Sequence, residues 1–501
     1  MRRALLAALV VVTISAGCAP KTKPAAGPQP PVAPKRGAKA LQSDLSSYYR
    51  APAFQNAVWG VLVRSLKTGE TLFSLNPGTL LMPASNMKVV TMAAAAERLG
   101  WDYTFVTTVV ATGPVEGGVV KGDLVVVGSG DPSLGGRPTE GPSVVERWAD
   151  QIRAKGITRI EGRIIGHDNV FDDEGFGQGW AWDNLAYGYS TPTSGLAFSE
   201  NVVRLSFTPG ATGGAPVSVT AKPEGSGLMV EAAVATAPQG GDTDISVTRQ
   251  PGSRQLGVTG LVPVGKTDVT RSVSVENPTE FMAGAFRQAL ISRGIDVAGG
   301  AIDVDVLPAP PDVRAGETLV SYTSPPLTEI GKVLLKVSQN LYADTLLKAI
   351  GRPADGGPAT TREGRRVLRA VLEGWGIAPD QYIQADGSGL SRYNYLTANV
   401  LVAVLTRMYT DERHRAAFTD GLPIAGVDGT IASRMKDTKA QGNARAKTGS
   451  IANARALSGY VTSSDGEPLV FSMIVNNFNV PQSQADAIID RAVVRLADFR
   501  R

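Results

Sequence analysis

From Ala57 to Asn76 apolar and polar positions alternate, with VWGVLVRSL and TLFSL flanking a Lys67-Thr68-Gly69-Glu70 turn. This pattern predicts a β-hairpin. After Pro83-Ala84-Ser85 the period changes: NMKVVTMAAAAERLG is apolar and alanine-rich, a helix stopped by Gly100. From about residue 104 to 310, short Val-, Thr- and Ile-rich runs alternate with Gly and Pro clusters. Helical stretches near 143–155 and at 278–294 interrupt them. Helical patterns return from 326 (LTEIGKVLLKV, LYADTLLKAIG, TREGRRVLRAVLEGWG, NVLVAVLTRMYT). Two strand-like runs, ARALSGYVTS and LVFSMIVNNF, and an amphipathic helix, ADAIIDRAVVRLADF, complete the chain. No segment repeats at a fixed period. The order predicts an α/β (α+β) domain, residues 45–103 and 311–501, split by a β-rich insertion over 104–310.

Composition narrows the chemistry. With 43% hydrophobic and 19% charged residues over 501 positions, the chain can bury a sizeable core and is not disordered. Fifty Lys plus Arg against 46 Asp plus Glu leave only +4, and no basic run carries interleaved aromatics. Nucleic-acid binding is therefore not expected. One cysteine excludes a disulfide framework, and two histidines, His167 and His414, leave no imidazole metal site. No metal and no cofactor are expected, and both histidines read as surface residues.

The N-terminus carries an address. Arg2-Arg3 precede an apolar stretch from Ala4 to Ile14, then Ser15-Ala16-Gly17-Cys18. Such an order describes a secretory signal over residues 1–18, too short to span a bilayer, which needs about 20 residues. It resembles a bacterial lipoprotein signal, in which Cys18 is acylated, although Ser15 stands where Leu is usual. An ordinary cleaved signal with an incidental Cys18 is the alternative. Either way the mature chain is extracytoplasmic. Residues 19–44, rich in Pro, Ala, Gly and Lys to about residue 40, read as a semi-extended tether.

No Gly-x-Ser-x-Gly occurs, and two histidines argue against a Ser-His-Asp triad. Lysine can activate serine instead: Ser-x-x-Lys on a helix places both side chains on one face. This spacing occurs at Ser85–Lys88 and Ser433–Lys436; Ser-x-Asn at Ser74–Asn76, Ser199–Asn201 and Ser338–Asn340; Lys-Thr-Gly at Lys67–Gly69 and Lys447–Gly449. The known arrangement of these three motifs, a nucleophile at a helix N-terminus, Ser-x-Asn between helices and Lys-Thr-Gly on a later strand, selects among them by order and context. Lys67 sits in a hairpin turn, Ser433 follows every Ser-x-Asn, Ser74 precedes Ser85, and Ser199 lies in a strand-like run. Ser85, Lys88, Ser338, Asn340 and Lys447 remain as the catalytic set.

The chemistry needs Lys88 neutral, since free lysine is protonated at neutral pH. Burial and the cation of Lys447 are expected to lower its pKa; a fall of about three pH units costs roughly 4 kcal/mol. Ser85 at a helix start lies beside free N–H groups for an oxyanion, with the Ser450 N–H as a second donor. Ser338 is placed to relay a proton and Asn340 to bind the substrate amide. Lys447, Thr448 and Ser450 offer charge and hydroxyls to a substrate carboxylate.

The blocks PASNMKVVT, KVSQNLYADTLLK, DGSGLSRYN, GLPIAGVDGT and ARAKTGSI, in this order, resemble the D-alanyl-D-alanine carboxypeptidase/endopeptidase family. These are the class C low-molecular-mass penicillin-binding proteins, the S13 serine peptidases. VGSGDPSL and GWAWDNLAYGYS are similar to that family's insertion. The resemblance spans roughly 45–500 and implies a β-lactamase/transpeptidase-like fold, peptidoglycan stem peptides as substrate and β-lactams as covalent inhibitors. It also implies a diaminopimelate pocket to which Arg392 and Asp183 belong, against the alternative that Arg392 caps a loop and Asp183 is a surface acid. Trp180 and Trp182 read as packing residues and Asp428 as a turn former. A β-lactamase, or a non-catalytic lipoprotein that tethers itself to peptidoglycan, are the competing functions.

Overall fold

The run Pro468–Asn476 has almost no polar face, because it lies inside a sheet covered on both sides. The computed structural model describes residues 37–136 and 141–501. Five strands, β1 (Val58–Ser65), β2 (Thr71–Leu75), β3 (Arg445–Ile451), β4 (Ala454–Thr462) and β5 (Pro468–Asn476), form an antiparallel sheet in the order β2-β1-β5-β4-β3. Its register pairs Val58 with Asn476, so the expected hairpin docks on the last strand.

Around the sheet stand α1 (Ala38–Tyr49), α2 (Met87–Leu99), α3 (Leu327–Lys336), α4 (Asn340–Ile350), α5 (Thr361–Gly374), α6 (Ala398–Thr410), α7 (Glu412–Gly421) and α8 (Gln482–Ala497). On one face, Leu41 and Leu45 of α1 and Ile489 and Val493 of α8 join Val61, Leu457 and Phe471. On the other, Val90, Leu346 and Val402 join Leu62, Val470 and Ile474. Burying each such side chain contributes about 1.5–3 kcal/mol. Helix α2 is buried from Met87 through Ala96. Its four consecutive alanines let α4, α5 and α6 approach from several sides, which a conventional amphipathic helix would not allow.

Between α2 and α3 the chain makes the expected β-rich excursion. One sheet orders Ala301–Asp303, Ile164–His167, Leu124–Val127, Val106–Ala111 and Glu317–Thr323; two three-stranded sheets follow within 202–274. The helices expected there are Val144–Ala154, with a Ser143/Glu146 capping box, and Pro278–Ser292. Glu317–Thr323 pairs with Val106–Ala111, so the inserted sheet runs past residue 310, the boundary drawn from the sequence. A second correction concerns the tether. Residues 38–44 belong to α1, because Leu41 and Leu45 share one face and are buried. The signal, Cys18 and residues 19–36 lie outside the described residues. No described helix is long and apolar enough to cross a membrane.

Lys348, near the C-terminal end of α4, clamps excursion and helices together. Its buried ammonium donates to Asp172 Oδ1 at 2.5 Å, Glu174 O at 2.9 Å and Asp172 O at 3.1 Å.

Candidate active site

Ser85 sits in a single 3-10 turn, Ala84–Asn86, that feeds directly into α2. Asn86 anchors this turn to the sheet by donating from Nδ2 to Ser458 Oγ at 2.8 Å. Ala84 has φ +47, a left-handed conformation that costs a non-glycine residue about 1–3 kcal/mol and persists only under surrounding constraint. Two glycines supply part of it. A Cβ on Gly449 would lie 2.3 Å from Pro83 O, and one on Gly389 would lie 1.8 Å from Ala84 O. Bare backbone is required at both contacts, which explains the glycine of Lys447-Thr448-Gly449.

Lys88, the second residue of α2 and fully buried, reaches Ser85 Oγ at 2.9 Å, Asn340 Oδ1 at 2.5 Å and Ser388 O at 2.6 Å. Ser338 lies between α3 and α4 with φ +64, and its Oγ accepts from Lys447 Nζ at 2.8 Å. Lys447 comes from β3, is fully buried, and also donates to Thr448 O at 2.9 Å. The five residues chosen from the sequence thus form one cluster across α2, the α3–α4 junction and β3.

Burial lowers the Lys88 pKa to about 8, with Asp344 and Asp386 pulling the other way. Lys447 is held well below the ordinary lysine value, first by burial and then by Lys88. The two aspartates were not anticipated. Asp344 of α4 accepts from the Gly387 and Ser388 N–H groups on Oδ1, at 2.7 and 3.1 Å. Asp386 accepts from Gly389 N, Ser391 N, Asn394 Nδ2 and Trp180 Nε1. Only the spacing Asn340–Asp344, four residues on one helix face, signalled the first.

Other expectations change. Both polar ends of the Asn340 amide are engaged: Oδ1 by Lys88, while Nδ2 donates to Tyr189 O at 2.7 Å. Asn340 therefore holds the lysine and the inserted segment rather than standing free for a substrate amide. The Ser450 hydroxyl accepts from Arg455 and keeps its own O–H to donate, while Thr448 Oγ1 meets Thr430 Oγ1 at 2.8 Å. Arg392 and Asp183 are exposed and make no hydrogen bond or ion pair with the five. Their segments reach the site through Ser388 and Tyr189.

Trp180 packs as expected, but Trp182 is 61% exposed. His414, expected at the surface, is 3% exposed, because its Nδ1 accepts from Trp101 Nε1 and its Nε2 faces Glu97. His167 is half-buried at a strand end. Asp428 is the expected turn former, accepting from Ile424 N and Lys336 Nζ. Among the decoys, Lys67, Ser433 and Lys436 are exposed. Ser199 begins a tight turn before a strand, and its neighbour Glu200 accepts from Gln339 Nε2 at 2.6 Å, inside the Ser338–Asn340 element. Among the described residues, carboxylate-bearing groups close enough to hold a metal are Glu97/Asp411/His414 and Asp168/Asp303/Asp305, neither of which includes a residue of this cluster.

The D-Ala-D-Ala carboxypeptidase 3 (S13) family matches residues 41–499. A D-alanyl-D-alanine carboxypeptidase of Actinomadura sp. is 34% identical over 487 residues, covering 94% of this chain and 88% of the relative. The D-alanyl-D-alanine carboxypeptidase DacB of Haemophilus influenzae is 27% identical over 424 residues, covering 84% and 85%. The crystal structure of penicillin binding protein 4 from Haemophilus influenzae superposes with a TM-score of 0.78 at 25% identity, covering 91% of this chain and 99% of that one.

Proposed function

The chain belongs to the S13 D-Ala-D-Ala carboxypeptidase 3 family, serine peptidases of peptidoglycan, and we propose that within it Ser85 is the nucleophile and Lys88 its base. The observation that carries this reading is the hydrogen-bond geometry at Lys88. A neutral amine has two N–H donors and one lone pair. Asn340 Oδ1 and Ser388 O take the two donors, which leaves the lone pair for the Ser85 hydroxyl.

The reaction then runs as follows. The Ser85 oxygen attacks the carbonyl of the penultimate D-alanine while Lys88 takes its proton. The N–H groups of Ser85 and Ser450 receive the oxyanion. Ser338, bonded to Lys447, gives its proton to the leaving D-alanine amine and regains one from the Lys88 ammonium, so the proton taken from Ser85 ends on the amine and Lys88 is neutral again. Lys447 and Thr448 hold the terminal carboxylate, whose arrival favours the ammonium form of a lysine that burial otherwise disfavours. Water later releases the acyl group. A β-lactam is attacked at its ring carbonyl in the same way, which makes the protein penicillin-binding. Arg392 and Asp183 stay in this reading as outer contacts of a longer stem peptide.

Residues 38–103 and 324–501 are read as the catalytic domain and 104–323 as its insertion. The enzyme works outside the cytoplasm. Anchoring through an acylated Cys18 is supported by the basic, apolar and small-residue order before it. Loss of labelled fatty acid on Cys18→Ser would show the anchor, and retention would refute it.

A fluorescent penicillin is expected to label the protein and Ser85→Ala to abolish labelling. Release of D-alanine from a pentapeptide is expected to fall with it. Persistent labelling of the variant would overturn the assignment.

A further inference from the structure

The two aspartates beside Lys88 are not equivalent. Asp386 is 1% exposed and receives four donors shared between its two oxygens, so both oxygens are served. Asp344 receives both of its backbone donors on Oδ1, while Oδ2 is buried and lacks a hydrogen-bond partner among the described residues. An enclosed carboxylate with one unserved oxygen is the natural seat of a titrating acid.

Its position is as informative as its solvation. Asn340 and Asp344 stand one turn apart on α4, and Asn340 Oδ1 touches Lys88 Nζ. Asp344 Oδ1 grips the Ser388 N–H, and the carbonyl of the same residue is the other acceptor of Lys88. One helix face therefore places both acceptors that orient the amine, Asn340 directly and Ser388 through Asp344.

We propose that Asp344 is a positioning residue for acylation: it fixes the Ser388 carbonyl that orients Lys88 and supplies the buried negative charge against which Lys88 becomes protonated. The inference rests on the reading of Lys88 as the base. When the Ser85 Oγ–H bond breaks, the proton goes to Nζ and the electron pair to the new oxygen–carbon bond. The ammonium so formed is enclosed, and a carboxylate nearby keeps that state accessible. The ionisable groups facing Lys88 are Asp344 from α4, Asp386 from the loop after Tyr382–Ile383, and Lys447 from β3. Burial and then Asp386 raise the Asp344 pKa, and Lys88 opposes them, so the two groups titrate as a linked pair.

Asp344→Asn separates the two roles, because the amide oxygen keeps both backbone donors while the charge is lost. The rate of penicillin acylation against pH is the readout. Without the charge, the Lys88 ammonium is less favoured, so the acid limb is expected to move to lower pH by about one unit. Asp344→Glu restores the charge and is expected to return the limb toward the wild-type position, which a purely structural role would not predict. A limb unmoved in Asp344→Asn overturns the proposal. Should that variant not fold, carboxyl-carbon NMR of aspartate-labelled wild type, assigned with Asp344→Glu, decides. An Asp344 signal titrating with the acylation limb supports the pairing, and a flat signal overturns it. Continued labelling of Ser85→Ala would instead remove the reading beneath the inference.

Discussion

Adding one methyl group at Gly389 tests whether the loop after Asp386 really sets the nucleophile. In Gly389→Ala the new Cβ would lie 1.8 Å from Ala84 O, 2.5 Å from Ala84 C and 3.1 Å from Met87 Cβ. Ordinary non-bonded separations are about 3.5 Å, so loop or nucleophile turn must withdraw by roughly 1.5 Å. Gly389 also has φ +83, where an L-residue is penalised by about 1–2 kcal/mol. Overpacking adds about 1–3 kcal/mol, for a total loss near 2–5 kcal/mol. Activity suffers further, because Ser388 next door carries the carbonyl bonded to Lys88. A misplacement of about 1 Å is worth roughly a hundredfold in rate. Acylation by a fluorescent penicillin and urea unfolding measure the two effects. Gly356→Ala is the control: φ is +84, but its Cβ would meet no atom within 4 Å. It should lose only about 1–2 kcal/mol and acylate normally. If Gly389→Ala acylates as fast as this control, the loop does not position the site.

Acylation should rise about tenfold per pH unit up to about 8, the value to which burial lowers Lys88, and level off above it as the amine loses its proton. At pH 7 such an amine is roughly one-tenth neutral, against well below a thousandth for ordinary lysine; a limb displaced to the ordinary lysine range would contradict the enclosed base. Lys348→Met leaves the Asp172 carboxylate without its ammonium and should lower stability by about 3 kcal/mol in urea unfolding, an unchanged midpoint being the contrary result. Gly449→Ala, with Pro83 O at 2.3 Å from the added Cβ, should push β3 off the nucleophile turn and slow acylation at least tenfold, which a kinetic comparison with wild type would detect.

The hairpin, α2 and the helix junction at Ser338 are legible, because each combines a clear hydrophobic period with turn or cap residues, whereas the strand at Lys447 follows only from the motif it carries. Context also disposed of the decoys: Lys67 lies in an exposed turn, as its flanking alternation implied. What stayed hidden depends on distant partners. Asp344 looks like any polar residue of an amphipathic helix until the loop at Gly387–Ser388 folds over it. His414 reads as a surface residue until Trp101, far away in sequence, donates to its ring. The strand Glu317–Thr323 fell outside the drawn boundary because its partner, Val106–Ala111, lies at the opposite end of the excursion. Helix α1 is hidden for a simpler reason: it directly follows the proline-rich stretch, and only Leu41 and Leu45, at helical spacing, mark it off from the tether.

Pairing of β1 with β5 has a consequence for how the molecule comes into being. During synthesis or export the N-terminal hairpin emerges early, yet the neighbour that completes it is among the last segments to arrive. Until then the nascent polypeptide presents an unmated ribbon edge, a state prone to self-association and in need of escort. Lys447 rides on a strand that joins through the same latecomer, so prematurely terminated products lack any assembled reactive centre. Sequential emergence thereby delays assembly of the reactive centre until β5 has joined the sheet.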